Sequence, residues 1–142
     1  MDKNKQPGIS FDNIILVKES FYRDVIVPKD SKAYFNVKHN WDKKDDKKCV
    51  SELITSLMLK SDEKEVLKLE STFVGIFSII DDSENMSIEE YIKGHSPALM
   101  LPYIREHISS ITQKAGVKPV LLPPINILAL INESMDNEEK GE

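Results

Sequence analysis

The chain has 142 residues, 40% of them hydrophobic and 30% charged, which predicts a single globular domain with a sizeable core. Its net charge of −5, with no stretch that concentrates positive charge, argues against nucleic-acid binding. A single cysteine, Cys49, excludes an internal disulfide framework and fits a reducing cytosol. The amino terminus lacks the apolar region of a signal peptide and no run reaches membrane-spanning length, so we expect a cytoplasmic protein that does not insert into a membrane.

Both ends of the chain are polar. Residues 1–8 predict a polar tail, and residues 134–142 predict an acidic, disordered one. The domain is therefore expected to span residues 9–133.

The first half of the domain reads as β-strands. Residues 14–17 and 25–27 are β-branched runs, and residues 33–41 alternate between apolar and polar side chains. Residues 50–60 and 65–80 place large apolar side chains at alternate positions and are joined by a short turn. Such adjacent runs favour an antiparallel sheet built from hairpins.

A helical region follows a predicted loop at residues 81–85. Ser87 and Glu90 form a capping box for a short turn that Gly94 closes. The main helix is then expected to begin with Ser96 as its cap and to end at Gly116. Pro102 predicts a kink or a fresh start inside it. Its apolar face is formed by Leu101, Ile104, Ile108 and Ile111.

The segment after this helix is unusual, because residues 117–125 are almost wholly apolar and yet contain three prolines. Prolines exclude a helix or a central strand, which predicts an extended, polyproline-like crossover. An apolar loop must either be buried or be offered to an apolar partner. A second helix, with Asn126 as a possible cap, carries apolar residues nearly all round, as expected of a helix packed on more than one side. Strands first and helices last indicate an α+β fold.

We find no pattern that predicts catalysis. His39, His95 and His107 show no metal-ligand spacing with Cys49 or with paired carboxylates, and Cys49 lacks neighbours that would activate its thiol. The glycines are scattered and form no phosphate-binding loop. The sequence therefore predicts no enzyme, no metal site and no cofactor.

Apolar surface is in surplus. The simpler interpretation is that the apolar residues of the crossover, of the second helix and of the strands complete the core or a subunit interface. The sharper hypothesis is that part of this surface lines an open groove for extended apolar polypeptide, since hydrophobic contact tolerates many sequences. Sheet-edge amides would add strand-like pairing with a client.

The order and spacing of several short motifs resemble the SecB family of bacterial protein-export chaperones. The resemblance covers residues 66–131 well and residues 9–41 more loosely. The matching positions are Gly75 to Ile79, Ser96-Pro97, Leu101-Pro102-Tyr103, Arg105-Glu106, Ile108-Ser109-Ser110, Pro119, Leu122, Pro124, Asn126 and Ala129-Leu130, with Phe11, Lys18, Pro28 and Trp41 in the looser part.

This resemblance implies a four-stranded antiparallel sheet packed by a long helix, with a crossover loop and a second short helix. It also implies a groove that holds unfolded precursor proteins without ATP. Carried over by position, the client contacts would be Trp41, Leu121, Leu122, Ile125 and Leu128. Apolar residues of the crossover and the strands extend this predicted groove by Val120, Tyr34 and Phe77.

The resemblance further implies two kinds of protein contact. Glu19 and Glu70 correspond to the acidic strand residues that dock the export motor SecA, although Lys68 stands two positions before Glu70, where an aliphatic residue is usual. Family members assemble as homotetramers, dimers of dimers, with the long helices between the dimers. Tyr103, Ser109 and Gln113 are the polar helix positions predicted for that contact.

Alternatives remain open at this level. Some SecB-like proteins serve an antitoxin in a toxin–antitoxin module, which would change the client and not the holding chemistry. A curved sheet crossed by a helix also suits a small-molecule-binding α+β cup, which predicts a closed pocket with convergent polar groups. A passive interaction subunit is the third possibility.

Overall fold

The computed structural model describes residues 8–80, 88–120, 122 and 126–133. These residues form one antiparallel sheet, a long helix and a short helix, which confirms the predicted α+β class. The elements are β1 (Ile9–Arg23), β2 (Lys32–Lys43), β3 (Lys48–Ser61), β4 (Lys64–Ile79), α1 (Ile88–Lys114) and α2 (127–133). None of the described helices is long and apolar enough to cross a membrane.

The strand order is β1-β4-β3-β2, which is a Greek-key arrangement. The predicted hairpins are confirmed for β2–β3 and β3–β4, and the latter turns through Asp62 and Glu63 with φ angles of 49° and 67°. Positive φ at both central residues matches the twist of the flanking strands. β1, however, pairs with β4 and not with its neighbour in sequence, so β1 and β2 are the two edges of the sheet.

The predicted strand at residues 25–27 is wrong. β1 ends at Arg23, and the chain then crosses to the far edge of the sheet without strand pairing. Val25 and Ile26 are 93% and 78% exposed, because this connection provides no cross-strand neighbour for them. Strand propensity depends on such neighbours, which the local sequence does not reveal.

The helical region is one continuous helix of 27 residues and not a short turn followed by a second start. Gly94 and Pro102 both lie inside it, and Ser96 is an interior residue that hydrogen-bonds the carbonyl of Ile92. The prediction of a helix start at Ser96 is therefore wrong. Burial of Ile88 and Ile92 against the sheet outweighs the intrinsic cost of an interior glycine, about 1 kcal/mol. The predicted capping residue Ser87 and the predicted loop 81–85 lie outside the described residues.

The end of α1 is as predicted. Gly116 has a φ of +76°, and the amides of Gly116 and Val117 bond the carbonyls of Gln113 and Thr112, which is a Schellman motif. The Arg23 guanidinium, at the end of β1, donates to the carbonyl of Ala115 and holds this terminus against the sheet.

The core lies between α1 and one face of the sheet. Leu53, Leu57, Leu69, Phe73 and Phe77 alternate along β3 and β4 and are nearly or fully buried. The predicted apolar helix face is confirmed. Leu101, Ile104 and Ile108 of α1 are buried, and Ile111 is packed against the same cluster.

α2 packs on one side only. The amide of Ala129 donates to the side chain of Asn126 at 3.1 Å, so Asn126 is the predicted cap. Ile127 and Ile131, one turn apart, are buried in the common core, whereas Leu128 and Ala129 are exposed. The expectation of packing on several sides is therefore wrong for this helix within a single chain.

Two glycines of the helical region allow a matched test of this architecture. We expect Gly116→Ala to destabilise the fold by about 1 kcal/mol, because an L side chain is strained at positive φ. Gly94→Ala should instead stabilise it by about 0.5–1 kcal/mol, since the position is helical and an added Cβ meets no atom within 4 Å. Denaturant midpoints of both variants measure this, and shifts of the same sign would contradict the assignment.

Candidate functional site

The two faces of the sheet are different surfaces. We call the face that packs against α1 the helix face and the opposite one the open face. A Cβ added at Gly75 would lie 2.9 Å from the Sδ of Met100, so Gly75 is on the helix face. Directly paired residues share a face. Trp41 pairs with Ser51, which pairs with Gly75, and Trp41 therefore lies on the helix face.

Tyr34 lies on the other side of the sheet. It pairs with Met58, which pairs with Lys68, and these positions alternate with the buried ones. The Nζ of Lys60 is 5.5 Å from the centre of the Tyr34 ring on this open face. The structure therefore does not bring Tyr34 together with Trp41 in one groove.

Trp41 stands beside a buried polar network that joins α1 to the sheet. The Oγ of Ser51 is 2.7 Å from both the Nε2 of His39 and the Oγ of Ser96, and the Ser96 hydroxyl also bonds the carbonyl of Ile92. Ser51 and Ser96 are fully buried. Because every hydroxyl in the network has a partner, the network fixes the first half of α1 over β2 and β3. Trp41 itself stays 38% exposed.

The crossover is anchored at the other end of α1. The amide of Val120 donates to the Oγ1 of Thr112 at 3.1 Å, and that hydroxyl donates to the carbonyl of Ile108 at 2.9 Å. Val120 and Leu122 are half-buried and pack against the core. Leu128 on α2 is 36% exposed.

We call the hydrogen bonds Ser51–Ser96 and Thr112–Val120 the hydroxyl anchors of α1. Ser96 and Thr112 are sixteen positions apart on one helix, which is about 24 Å at 1.5 Å per residue. An extended polypeptide of about seven residues spans that distance. Trp41 lies near one anchor and Val120 at the other, so the two residues mark opposite ends of α1.

The surface described above does not include three of the predicted groove residues. Phe77 is fully buried and stacks on Phe11 with ring centroids 4.8 Å apart, so its side chain belongs to the core. Leu121 and Ile125 lie outside the described residues.

The two predicted docking acids lie on opposite faces of the sheet. Glu70 pairs with Ser20 on the open face and is 3.4 Å from the Nζ of Lys68. Glu19 pairs with Ser71 on the helix face, accepts a hydrogen bond from the Ser71 hydroxyl at 3.2 Å, and contacts His107 of α1. An irregularity between Leu16 and Lys18 shifts the register by one residue, and without it Glu19 would pair with Glu70.

The predicted interface residues lie along one side of α1 at different depths. Tyr103 is 50% exposed and its ring meets Phe11 edge-on, whereas Gln113 is exposed and Ser109 is half-buried. Their side chains are therefore accessible to a second subunit to different degrees.

The sequence analysis did not identify the two hydroxyl anchors. The sequence does contain a signal for them. Ser51 and Thr55 are polar residues among the buried apolar positions of β3, and Ser96 and Thr112 are polar residues on the buried side of α1. Cys49 is a buried thiol whose pKa is raised by burial. No group of three or more potential metal-ligating side chains occurs among the residues that the structure describes.

Residues 9–138 match the family model described as preprotein translocase subunit SecB. An uncharacterised protein of Methanocaldococcus jannaschii is 28% identical over 151 aligned positions, covering all of this chain and 97% of that protein. The protein-export proteins SecB of Rickettsia massiliae and Rickettsia akari are 30% and 32% identical over 89 residues, which is 62% of this chain and 57% of each relative.

Among solved structures, a Mycobacterium tuberculosis SecB-like chaperone in complex with a ChAD peptide from the HigA1 antitoxin has a similar fold. The TM-score is 0.72, covering 83% of this chain and 91% of that one, at 14% sequence identity. At this identity the likeness concerns the fold alone.

The network around His39 predicts a pH dependence of stability. Burial lowers the pKa of His39 from 6.5 to about 4, so the folded state binds this proton less readily than the unfolded state. Neutral His39 therefore stabilises the folded state fully above pH 6.5, and this stabilisation is lost as the pH falls toward about 4. His39→Gln keeps a polar partner for Ser51, and we expect its unfolding free energy to fall less than that of the parent between about pH 7 and about pH 5. Parallel denaturant titrations measure this, and identical pH profiles would contradict it.

Proposed function

The chain belongs to the SecB family, and from that premise we propose that it is an ATP-independent chaperone that holds unfolded or extended polypeptide along α1. The observation that carries the proposal is the partly exposed apolar surface at both anchors. The side chains of Trp41 and Leu128 are 38% and 36% exposed.

Holding by such a surface relies on burial and not on a fixed set of polar contacts. One large apolar client side chain contributes about 1.5–3 kcal/mol when it is fully buried, so a few such contacts give useful affinity. Dispersed contacts of this kind tolerate many client sequences. The polar anchors keep the sheet, α1 and the crossover in place while the client exchanges.

The export form of this function has unfolded preproteins as clients and SecA as partner, and it acts in the cytoplasm. Support comes from the family and from Glu70, which is about half exposed on the open face. We propose Glu70 as the SecA contact of this form. Glu19 contributes less directly, because it contacts His107 and Ser71 on the other face.

A second candidate is a chaperone dedicated to an antitoxin segment. The specific observation in its favour is that the acidic pair predicted for SecA docking is not formed on one face, and that Lys68 stands 3.4 Å from the remaining acid. The holding surface is the same in both forms.

We also propose the homotetramer, a dimer of dimers, as the working assembly. β1 is an edge strand whose Ile15, Leu16, Val17 and Phe21 are 39–54% exposed, and such an edge requires a cover. Tyr103, Ser109 and Gln113 are the proposed contacts between dimers. A single-chain mass by light scattering would contradict this assembly.

The groove is tested by substitution at both of its ends. We expect Trp41→Ala with Leu128→Asp to weaken client binding at least tenfold, because it removes two apolar contacts of about 1 kcal/mol or more each. The measurement is suppression of aggregation of a reduced, unfolded protein at stoichiometric ratio without ATP. Leu121→Asp with Leu122→Asp tests the crossover in the same assay.

Val25→Asp is the matched control, since it introduces the same charge at an apolar residue that is 93% exposed and is not a predicted groove residue. Full holding by this control and loss in the groove variant support the proposal. Unchanged holding by a folded groove variant would place the client surface elsewhere. A small-molecule cup or a passive interaction subunit would not suppress aggregation in the parent protein.

The export form is tested by reversing charges on the open face. We expect Glu70→Lys to weaken SecA binding and Lys68→Glu to strengthen it, because the first removes and the second adds an acid at the proposed contact. Titration of each variant with SecA measures the change. A parent protein that does not bind SecA, while still holding clients, would exclude the export form and favour the antitoxin form.

A further inference from the structure

One arginine side chain ties together the end of β1, the connection that follows it and the end of α1. Arg23 is the last residue of β1 and pairs with the buried Leu67, so it lies on the helix face. Its Nε and Nη2 atoms donate to the carbonyls of Asp24 and Val25, each at 2.8 Å, and its Nη1 atom donates to the carbonyl of Ala115. Ala115 is 92 positions further along the chain.

The carbonyl of Ala115 lies at the point where α1 gives way to the crossover. The last carbonyls of a helix lack a donor within the helix, and a cation at this end is favoured by the helix dipole. The next residue, Gly116, has a φ of +76°, and a Cβ added there would lie 3.7 Å from the Nη1 of Arg23. Arg23 therefore contacts the chain at the turn that sets the direction of the crossover.

The first part of the crossover is fixed at two points. Arg23 holds Ala115 at one of them, and the hydroxyl of Thr112 accepts from the amide of Val120 at 3.1 Å at the other. Between these points, residues 118–119 are exposed. Because this stretch is short and is held at both ends, the loss of either contact gives it more conformations.

We propose that Arg23 is a positioning residue for client holding, an inference that rests on the function proposed above. Its role is indirect. It fixes the start of the crossover, so that the half-buried Val120 and Leu122 are presented at a defined place beside α1. A surface that is already ordered loses less conformational entropy when a client binds to it.

The role depends on the shape of the guanidinium and not on its charge alone. Three separate donor atoms of Arg23 reach three carbonyls, whereas a lysine ammonium presents all its donors at one atom. The ladder between β1 and β4 does not require this side chain, so we expect the sheet to persist without it. The segment that loses its restraint is the start of the crossover.

The first test measures the crossover of the full chain without any client. We expect Arg23→Ala to speed hydrogen exchange at the amides of Val117 and Val120 at least about tenfold, while the amides of Leu57 and Leu69 in the sheet exchange as in the parent. Arg23→Lys keeps the charge and loses the fork, and it should give a similar increase. Unchanged exchange at Val117 and Val120 in these variants would overturn the proposal.

The second test measures the affinity for fluorescently labelled, reduced and carboxymethylated lactalbumin, which stays unfolded. We expect Arg23→Ala and Arg23→Lys each to weaken binding at least about fivefold, because the client must then order the crossover itself. In a Leu122→Ala background the same Arg23→Ala change should weaken binding less than in the parent, since the two residues act through one segment. Equal losses in both backgrounds would contradict the positioning role.

Lys64→Ala is the matched control, since the Nζ of Lys64 lies 3.2 Å from the Asp24 carboxylate and its removal leaves the carbonyl bonds of Arg23 in place. It should exchange and bind like the parent, and a loss equal to that of Arg23→Ala would overturn the proposal. Val25→Asp also keeps its bond to Arg23, because Val25 takes part through its main chain and its side chain is exposed. A parent that does not bind the unfolded protein would overturn the proposed function and this role together, whereas a binding parent with unaffected Arg23 variants would overturn this role alone.

Discussion

The structure depends on the burial of one face of the sheet beneath α1. Leu53, Phe77, Ile104 and Ile108 are nearly or fully removed from water there, and each contributes about 1.5–3 kcal/mol in that position. This burial holds a helix together through Gly94 and two prolines, which its local sequence would not support. It also determines the candidate groove, because the groove is the apolar surface that remains where α1 ends its cover and the crossover and α2 begin.

The hydroxyl anchors give this packing a defined geometry. Apolar contact alone permits α1 to slide, whereas Ser51 with Ser96 and Thr112 with Val120 must each satisfy buried hydrogen bonds at particular points. The anchors hold α1 and the crossover in place next to the partly exposed Trp41 and the half-buried Val120.

The open face shows how one residue of register alters a functional interpretation. A single bulge near Val17 moves Glu19 to the helix face, where it contacts Ser71 and His107, and leaves Glu70 beside Lys68. The two acids predicted for docking therefore do not lie on one face of the sheet. The helix face is mainly apolar, whereas the open face carries charged side chains of both signs.

The sequence by itself determined the α+β class, the alternation of β2, β3 and β4, the apolar face of α1, its end at Gly116 and the cap at Asn126, because each is set by neighbours within a few positions. Its motifs also indicated the family. Only the tertiary structure decided that β1 pairs with β4, that α1 runs through Gly94, that Phe77 is core and that Tyr34 and Trp41 lie on opposite faces. These features depend on strand register and on contacts between residues far apart in the chain, and a shift of one residue reverses which side of the sheet a side chain occupies.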